Sequence, residues 1–213
     1  MRSLPFLLFF GFVLLVILPE AEADEGPETQ MELAGRWGSF DRAMGVAVSG
    51  DYAYVADGGG GLAMVDVSDP TNPTYVGSYD ASGYNYAQDV VVSGGYAYVV
   101  YGYDGLMVVD VSDPTNPTLV GRYYTSGYVD DVAVSGGYAY VAAGYSGVLR
   151  MDVSDPTNLI LVESYDGSGY ARGVVVSGNY TYVTYHEGGL RVVNMSKPAE
   201  PTTATKVTSA SGK

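Results

Sequence analysis

The chain has 213 residues, 24 acidic against 10 basic side chains, a net charge of −14, one histidine and no cysteine. That length buries a substantial core as one domain, and the charge argues against nucleic acid and anionic lipid surfaces, both of which need a basic face. Without cysteine, stability rests on packing rather than disulfides, and zinc or iron has no ligand cluster, so no cofactor or metal is expected.

Residues 1–23 read as a targeting segment. Arg2 gives a positive start, residues 4–18 form an apolar run, and Ala21-Glu22-Ala23 offers a small-x-small cleavage site. The run is short of the roughly 20 residues a spanning helix needs. A cleaved secretory signal is expected, with a retained N-terminal anchor as the alternative. Either places the protein outside the cell or at its surface, with no other membrane contact. Residues 24–32 are an acidic, polar linker.

From Arg42 onward the chain repeats. Ser-Gly recurs at Ser49-Gly50, Ser93-Gly94, Ser135-Gly136 and Ser177-Gly178, at spacings of 44, 42 and 42 residues. Ser-Asp-Pro-Thr-Asn recurs at 68–72, 112–116 and 154–158, and degrades to Ser-Lys-Pro-Ala-Glu at 196–200. A period of about 40–45 residues with four strands per unit indicates a β-propeller blade. The second copy shows the strands best: Val90, Val91 and Val92, a Ser-Gly-Gly turn, then 96–100, rich in tyrosine and valine. A glycine-bearing loop leads to 106–111, an Asp-Pro-Thr-Asn-Pro turn follows, and 118–123 is the fourth strand. The third strand is apolar throughout, which suits a sheet covered on both faces. No segment keeps a 3.6-residue apolar period, so the fold is expected to be all-β.

The third strands read Leu62-Ala63-Met64-Val65-Asp66, Leu106-Met107-Val108-Val109-Asp110, Val148-Leu149-Arg150-Met151-Asp152 and Leu190-Arg191-Val192-Val193-Asn194. They resemble the LVIVD repeat, named for that pentapeptide. The resemblance covers about residues 33–207, departs at Arg150 and Asn194, and implies a β-propeller at a bacterial or archaeal cell surface, with no catalytic motif to carry over. The expected blades are 42–79, 86–123, 128–165 and 170–207, followed by a tail at 208–213. Residues 33–37 match the fourth strand at 119–123 but have no blade before them, so they are expected to pair with 190–194 and close a four-blade ring. The alternative is an open arc that forms a homodimer.

Asp66, Asp69, Asp110, Asp113, Asp152 and Asp155 belong to the repeated turns. They are read as acceptors for local backbone donors rather than as calcium ligands, since no Asp-x-Asp-x-Asp-Gly loop occurs. The remaining acidity suits solubility or a salty habitat. Sequons stand at Asn179 and Asn194.

The copies differ most where the loops at one end of the propeller should gather. Ahead of the first strands stand Arg42, Tyr86, Tyr128 and Tyr170, then Met44, Gln88, Asp130 and Arg172. The second-to-third loops carry Asp57; Tyr101, Tyr103 and Asp104; Tyr145 and Ser146; Tyr185, His186 and Glu187. The candidate ligand-binding residues are therefore Arg42, Tyr86, Gln88, Tyr101, Tyr103, Tyr128, Asp130, Tyr145, Tyr170, Arg172, Tyr185 and His186. Tyrosine brings rigid contact area with a hydroxyl, suited to protein or glycan partners. The alternative is that these tyrosines pack between blades. The reading is a non-enzymatic binding or adhesion module, with a structural module of the cell envelope as the second option. A hydrolase or lyase with its site on the same face is the third, and no catalytic residue is named.

Overall fold

The structure is a computed structural model that describes residues 32–38, 40–81 and 86–196. The leader, nearly all of the linker, the segment at 202–207 and the tail lie outside these residues. The chain divides into Met1–Leu33 and Ala34–Lys213, and the architecture below concerns the second unit alone.

Four antiparallel sheets follow one another, each a meander. Blade 1 holds β1 (Gly45–Ser49), β2 (Tyr52–Ala56), β3 (Leu62–Asp66) and β4 (Thr74–Tyr79). Blade 2 holds β5 (Ala87–Ser93), β6 (Tyr96–Tyr101), β7 (Gly105–Asp110) and β8 (Thr118–Tyr123). Blade 3 holds β9 (Asp131–Ser135), β10 (Tyr138–Ala142), β11 (Val148–Asp152) and β12 (Ile160–Tyr165), and blade 4 holds β13 (Ala171–Ser177), β14 (Tyr180–Tyr185) and β15 (Gly189–Asn194). No helix occurs among the described residues.

Cross-strand partners explain how the blades stack. On one face of blade 2, Val90 pairs with Val99 and Val99 with Met107. These side chains pack onto the facing side of blade 1, where Tyr54 pairs with Met64 and Ala56 with Leu62. The same relation joins blade 2 to blade 3 and blade 3 to blade 4, giving three apolar layers, one per junction. Each buried valine, leucine or methionine there is worth about 1.5–3 kcal/mol of transfer free energy. The interior strand β7, with a blade on either side, is accordingly buried on both faces.

The Asp-Pro-Thr-Asn turns are held by their own aspartates. Asp69 Oδ1 accepts from Thr71 N and Oγ1 at 2.9 and 2.6 Å, and Asp113 and Asp155 repeat this with Thr115 and Thr157. Asp66, Asp110 and Asp152 each accept from the backbone N–H two residues on. All six stand below the usual carboxylate range because these donors favour the charged form. They serve the turns, as the sequence implied.

Every complete blade carries a bulge in its outermost strand, which leaves Val76, Val120 and Val162 without a partner on the neighbouring strand. In blades 1 and 2 the residue after the bulge is Gly77 or Gly121, set against the Pro114 or Pro156 carbonyl of the next blade's turn so closely that a Cβ would collide. Gly35 lies in the same way against Pro70, and Trp37 stacks on Tyr75 at 5.5 Å. Residues 34–37 therefore occupy the place beside blade 1 where the outermost strand of a preceding blade would lie.

The expected ring closure is not found. Residues 32–38 form no strand, and among the described residues the fourth sheet runs β13-β14-β15. No strand of blade 1 packs on blade 4 as consecutive blades pack on each other. The sheets thus form an open series, and β15 is exposed where β7 is buried. The physical reason is that 34–37 are fastened to blade 1 while β15 stands three blades away.

Candidate functional site

At one end of the blades, each second-to-third loop reaches the segment leading into the next blade. Gly58, Gly102 and Gly144 form single β-bridges to Ala87, Val129 and Ala171 of the following blade. Gly102 and Gly144 take φ of 42° and 52°, and a side chain at either would strike Tyr128 or Tyr170. Glycine is needed at both for conformation and for room.

Above each bridge two side chains meet. Tyr103 packs edge-on against Tyr128 at 5.0 Å, and Tyr145 against Tyr170 at 5.1 Å. At the first junction Gly59 replaces the loop tyrosine, and Arg42 lies over the Tyr86 ring at 5.7 Å. Tyr103 and Tyr145 are 67% and 80% exposed, so the second and third junctions each offer a free aromatic surface.

The residue after the bridge is placed by a second kind of bulge. Gln88 and Arg172 are the extra residues where β5 and β13 shift register against β6 and β14. A bulge re-aims a side chain, here toward the loops. Gln88 reaches the Tyr86 carbonyl at 3.3 Å. Arg172 Nη2 stands 3.6 Å from Asp130 Oδ1, an ion pair that runs from blade 4 back to blade 3. Burial raises the Asp130 pKa against the pull of Tyr170 and Arg172, and its Oδ2 is buried without a hydrogen-bond partner. Burial and the neighbouring Asp130 push the Tyr170 hydroxyl up to about 12.

At the blade 4 end these groups border an open cleft of about 380 Å³, lined by Tyr145, Gly169, Tyr170, Arg172, His186 and Glu187. It combines aromatic faces with both signs of charge.

Two of the expected residues do not belong to this surface. Tyr101 is 1% exposed, inside the layer between blades 1 and 2, with its hydroxyl 3.4 Å from the Tyr79 carbonyl. Tyr185 is buried between blades 3 and 4 beneath Arg191. Both end their second strand in a core position, which matches the packing alternative. The other ten are at the loop end, but in a row along three junctions rather than around one centre, and Arg42 and His186 stand at its opposite ends. Glu187 also lines the cleft, and its variability between copies was the signal for it.

A carboxylate pair at the innermost strands was not foreseen. Asp131 Oδ2 accepts from Val174 N at 2.7 Å, and Asp89 Oδ2 lies 3.4 Å from Val132 N, so each carboxylate ties one blade to the next. Burial and contact with Asp131 raise Asp89 to about 7. The signal was present: this repeat position reads Gly45, Asp89, Asp131, Gly173.

Sequential four-stranded meanders, stacked face to face and joined by repeated short loops, define a β-propeller repeat protein. The LVIVD repeat matches at residues 42–81, 85–125, 126–167 and 168–209, and the chain belongs to that family. No curated protein matches it. The fold is similar to the computationally designed Ika4 protein, with a TM-score of 0.63 and 12% identity over 78% of this chain and 99% of that one. It is also similar to the designed Ika8 protein (TM-score 0.60, 10% identity, 72% of this chain) and to apo AztD from Citrobacter koseri (0.51, 17%, 73%). The chain spans about half the length of these two, 46% and 45%. At these identities the likeness shows the fold alone.

Proposed function

We propose that this chain is a non-enzymatic, secreted or cell-surface module that binds a protein or glycan partner along its loop row. The observation that carries the reading is the exposed pair Tyr103 and Tyr145, each held upright by an edge-on tyrosine of the next blade and flanked by side chains that bulges aim outward. Aromatic faces held rigid before binding lose little side-chain entropy on contact. The export pattern of residues 1–23 supports the location. Mixed charge along the row favours a neutral or zwitterionic partner over a polyanion.

The test is a screen of the purified chain against arrayed glycans and cell-envelope proteins, repeated with Tyr103→Ala and Tyr145→Ala combined. The expected result is a partner whose affinity falls about tenfold or more in the double variant, as for exposed aromatic anchors. Binding that is unchanged by both substitutions would sink the reading. The second reading, an envelope module without a discrete ligand, is favoured by the bare apolar face of blade 4.

A further inference from the structure

Blade 4 exposes the surface that every other blade buries. Tyr54, Leu62 and Met64 of blade 1 are 4%, 0% and 0% exposed under blade 2. The corresponding Tyr182, Leu190 and Val192 of blade 4 are 36%, 63% and 54% exposed, and Val175 beside them 62%. At the other end of the series, Val46 of blade 1 is 65% exposed, whereas Val90, Val132 and Val174, which fill the same repeat position, are 2–3% exposed. On blade 1 the exposure is confined to the innermost strand, where Val48 is also 68% exposed; Val55, Ala63 and Val65 on the same face are buried, at 7%, 5% and 4%. The bare face of blade 4 and the bare innermost strand of blade 1 are the two sides of one missing junction.

The side chains at that junction differ from the others in a complementary way. At two observed junctions a loop tyrosine meets a tyrosine of the next blade: Tyr103 on Tyr128, and Tyr145 on Tyr170. The repeat places Glu187 at the loop position of blade 4 and Arg42 at the receiving position of blade 1. The pair of tyrosines is replaced by a pair of opposite charges. Asp57 Oδ1 accepts from Arg42 N at 2.8 Å and Asp57 Oδ2 from Asp41 N at 3.1 Å, so the receiving segment is held ready although no blade covers it. Residues 34–37 already lie at the outermost-strand position next to blade 1, secured by Gly35 and Trp37, where the β15 of a docked blade would find them.

We propose that blade 4 of one chain docks on blade 1 of a second copy, and reciprocally, so that two open series close one eight-blade ring. In each junction residues 34–37 of one copy add to β15 of the other, and Glu187 of one copy faces Arg42 of the other. A contact that joins unlike surfaces closes only when its rotation returns to the start, and two copies of four blades fall within the blade numbers that propellers adopt. Arg42 of the second copy then becomes a wall of the cleft at Tyr145, Tyr170 and His186, which is incomplete in the single chain. This inference stands apart from any ligand.

The chain has no cysteine, so two introduced thiols report on the junction cleanly. Chains carrying only Glu187→Cys are mixed with chains carrying only Arg42→Cys and oxidised, while the unsubstituted chain is followed by light scattering across a concentration range. The expected results are a disulfide-linked dimer from the mixture and a mass that rises to two chains and stops. Reversal of one charge by Glu187→Arg should weaken the dimer about tenfold or more, and adding Arg42→Glu should restore it. A monomer at all concentrations, a disulfide within one chain when both thiols share it, or growth beyond two chains would each overturn the proposal. The first of these would leave the tyrosine row intact, so its failure is separable from that of the binding reading.

Discussion

The hydrogen atoms of Gly77 and Gly121 stand where a methyl group would meet a proline carbonyl of the next blade. Gly121→Ala should therefore cost about 1–3 kcal/mol through overpacking, read from the denaturation midpoint. Gly38→Ala is the control, since nothing lies within 4 Å of its added carbon. Protonation gives a second residue-scale test. Asp89 has a raised folded pKa, near 7, so the folded state holds a proton that the unfolded chain releases at about 4. Its contribution is complete below about pH 4 and is lost as pH rises toward 7, with a slope of up to about 1.4 kcal/mol per pH unit. The turn aspartates have the opposite sign: their folded pKa values are depressed, so their contribution is present above about pH 4 and is lost below it. Thermal melts across pH should peak in the mildly acidic range. Asp89→Asn should flatten the neutral limb and leave the acid limb in place; a neutral limb unchanged by Asp89→Asn would refute the assignment.

At the scale of the element, the repeated turn is a self-contained device. Asp113→Ala should lower the melting temperature at pH 7 and cost progressively less as pH falls below the ordinary carboxylate range, where the contribution of the charged form fades; a loss that does not change with pH would show that charge is not what Asp113 supplies. Strand order and turn chemistry were legible because each copy repeats them and each rests on local rules: proline for φ, aspartate for nearby N–H groups, alternating or continuous apolar runs for burial. The bulges that aim Gln88 and Arg172 were not legible, since an extra residue in a strand leaves no mark in composition. Tyr101 and Tyr185 misled for a related reason. They look like loop residues by position, but each is the last residue of a strand and faces the neighbouring blade.

At the scale of the whole molecule, stability is a sum over junctions, as in other repeat proteins. Leu106→Ala, at a fully buried position, should cost about 2–5 kcal/mol. Leu190→Ala, at the equivalent place in blade 4, should be nearly neutral in dilute solution and become costly only where chains associate. Chemical denaturation at two protein concentrations checks both. The number of blades was legible from the period, but closure was not, because it depends on which surfaces meet at long range rather than on any local pattern. Residues 33–37 looked like a strand by their match to 119–123, and without a partner strand they do not form one.

The glycine beside each proline carbonyl also makes the blade a unit in which the gene can change length. A 42-residue duplication inserted after Tyr79 or Tyr123 would recreate, on both sides, the same glycine-to-proline contact found at the native junctions. One inserted after Tyr165 would not, because Glu163 holds the glycine's place and points to Arg150 at 3.9 Å. The chain can lengthen after either of its first two blades while blade 4 stays last.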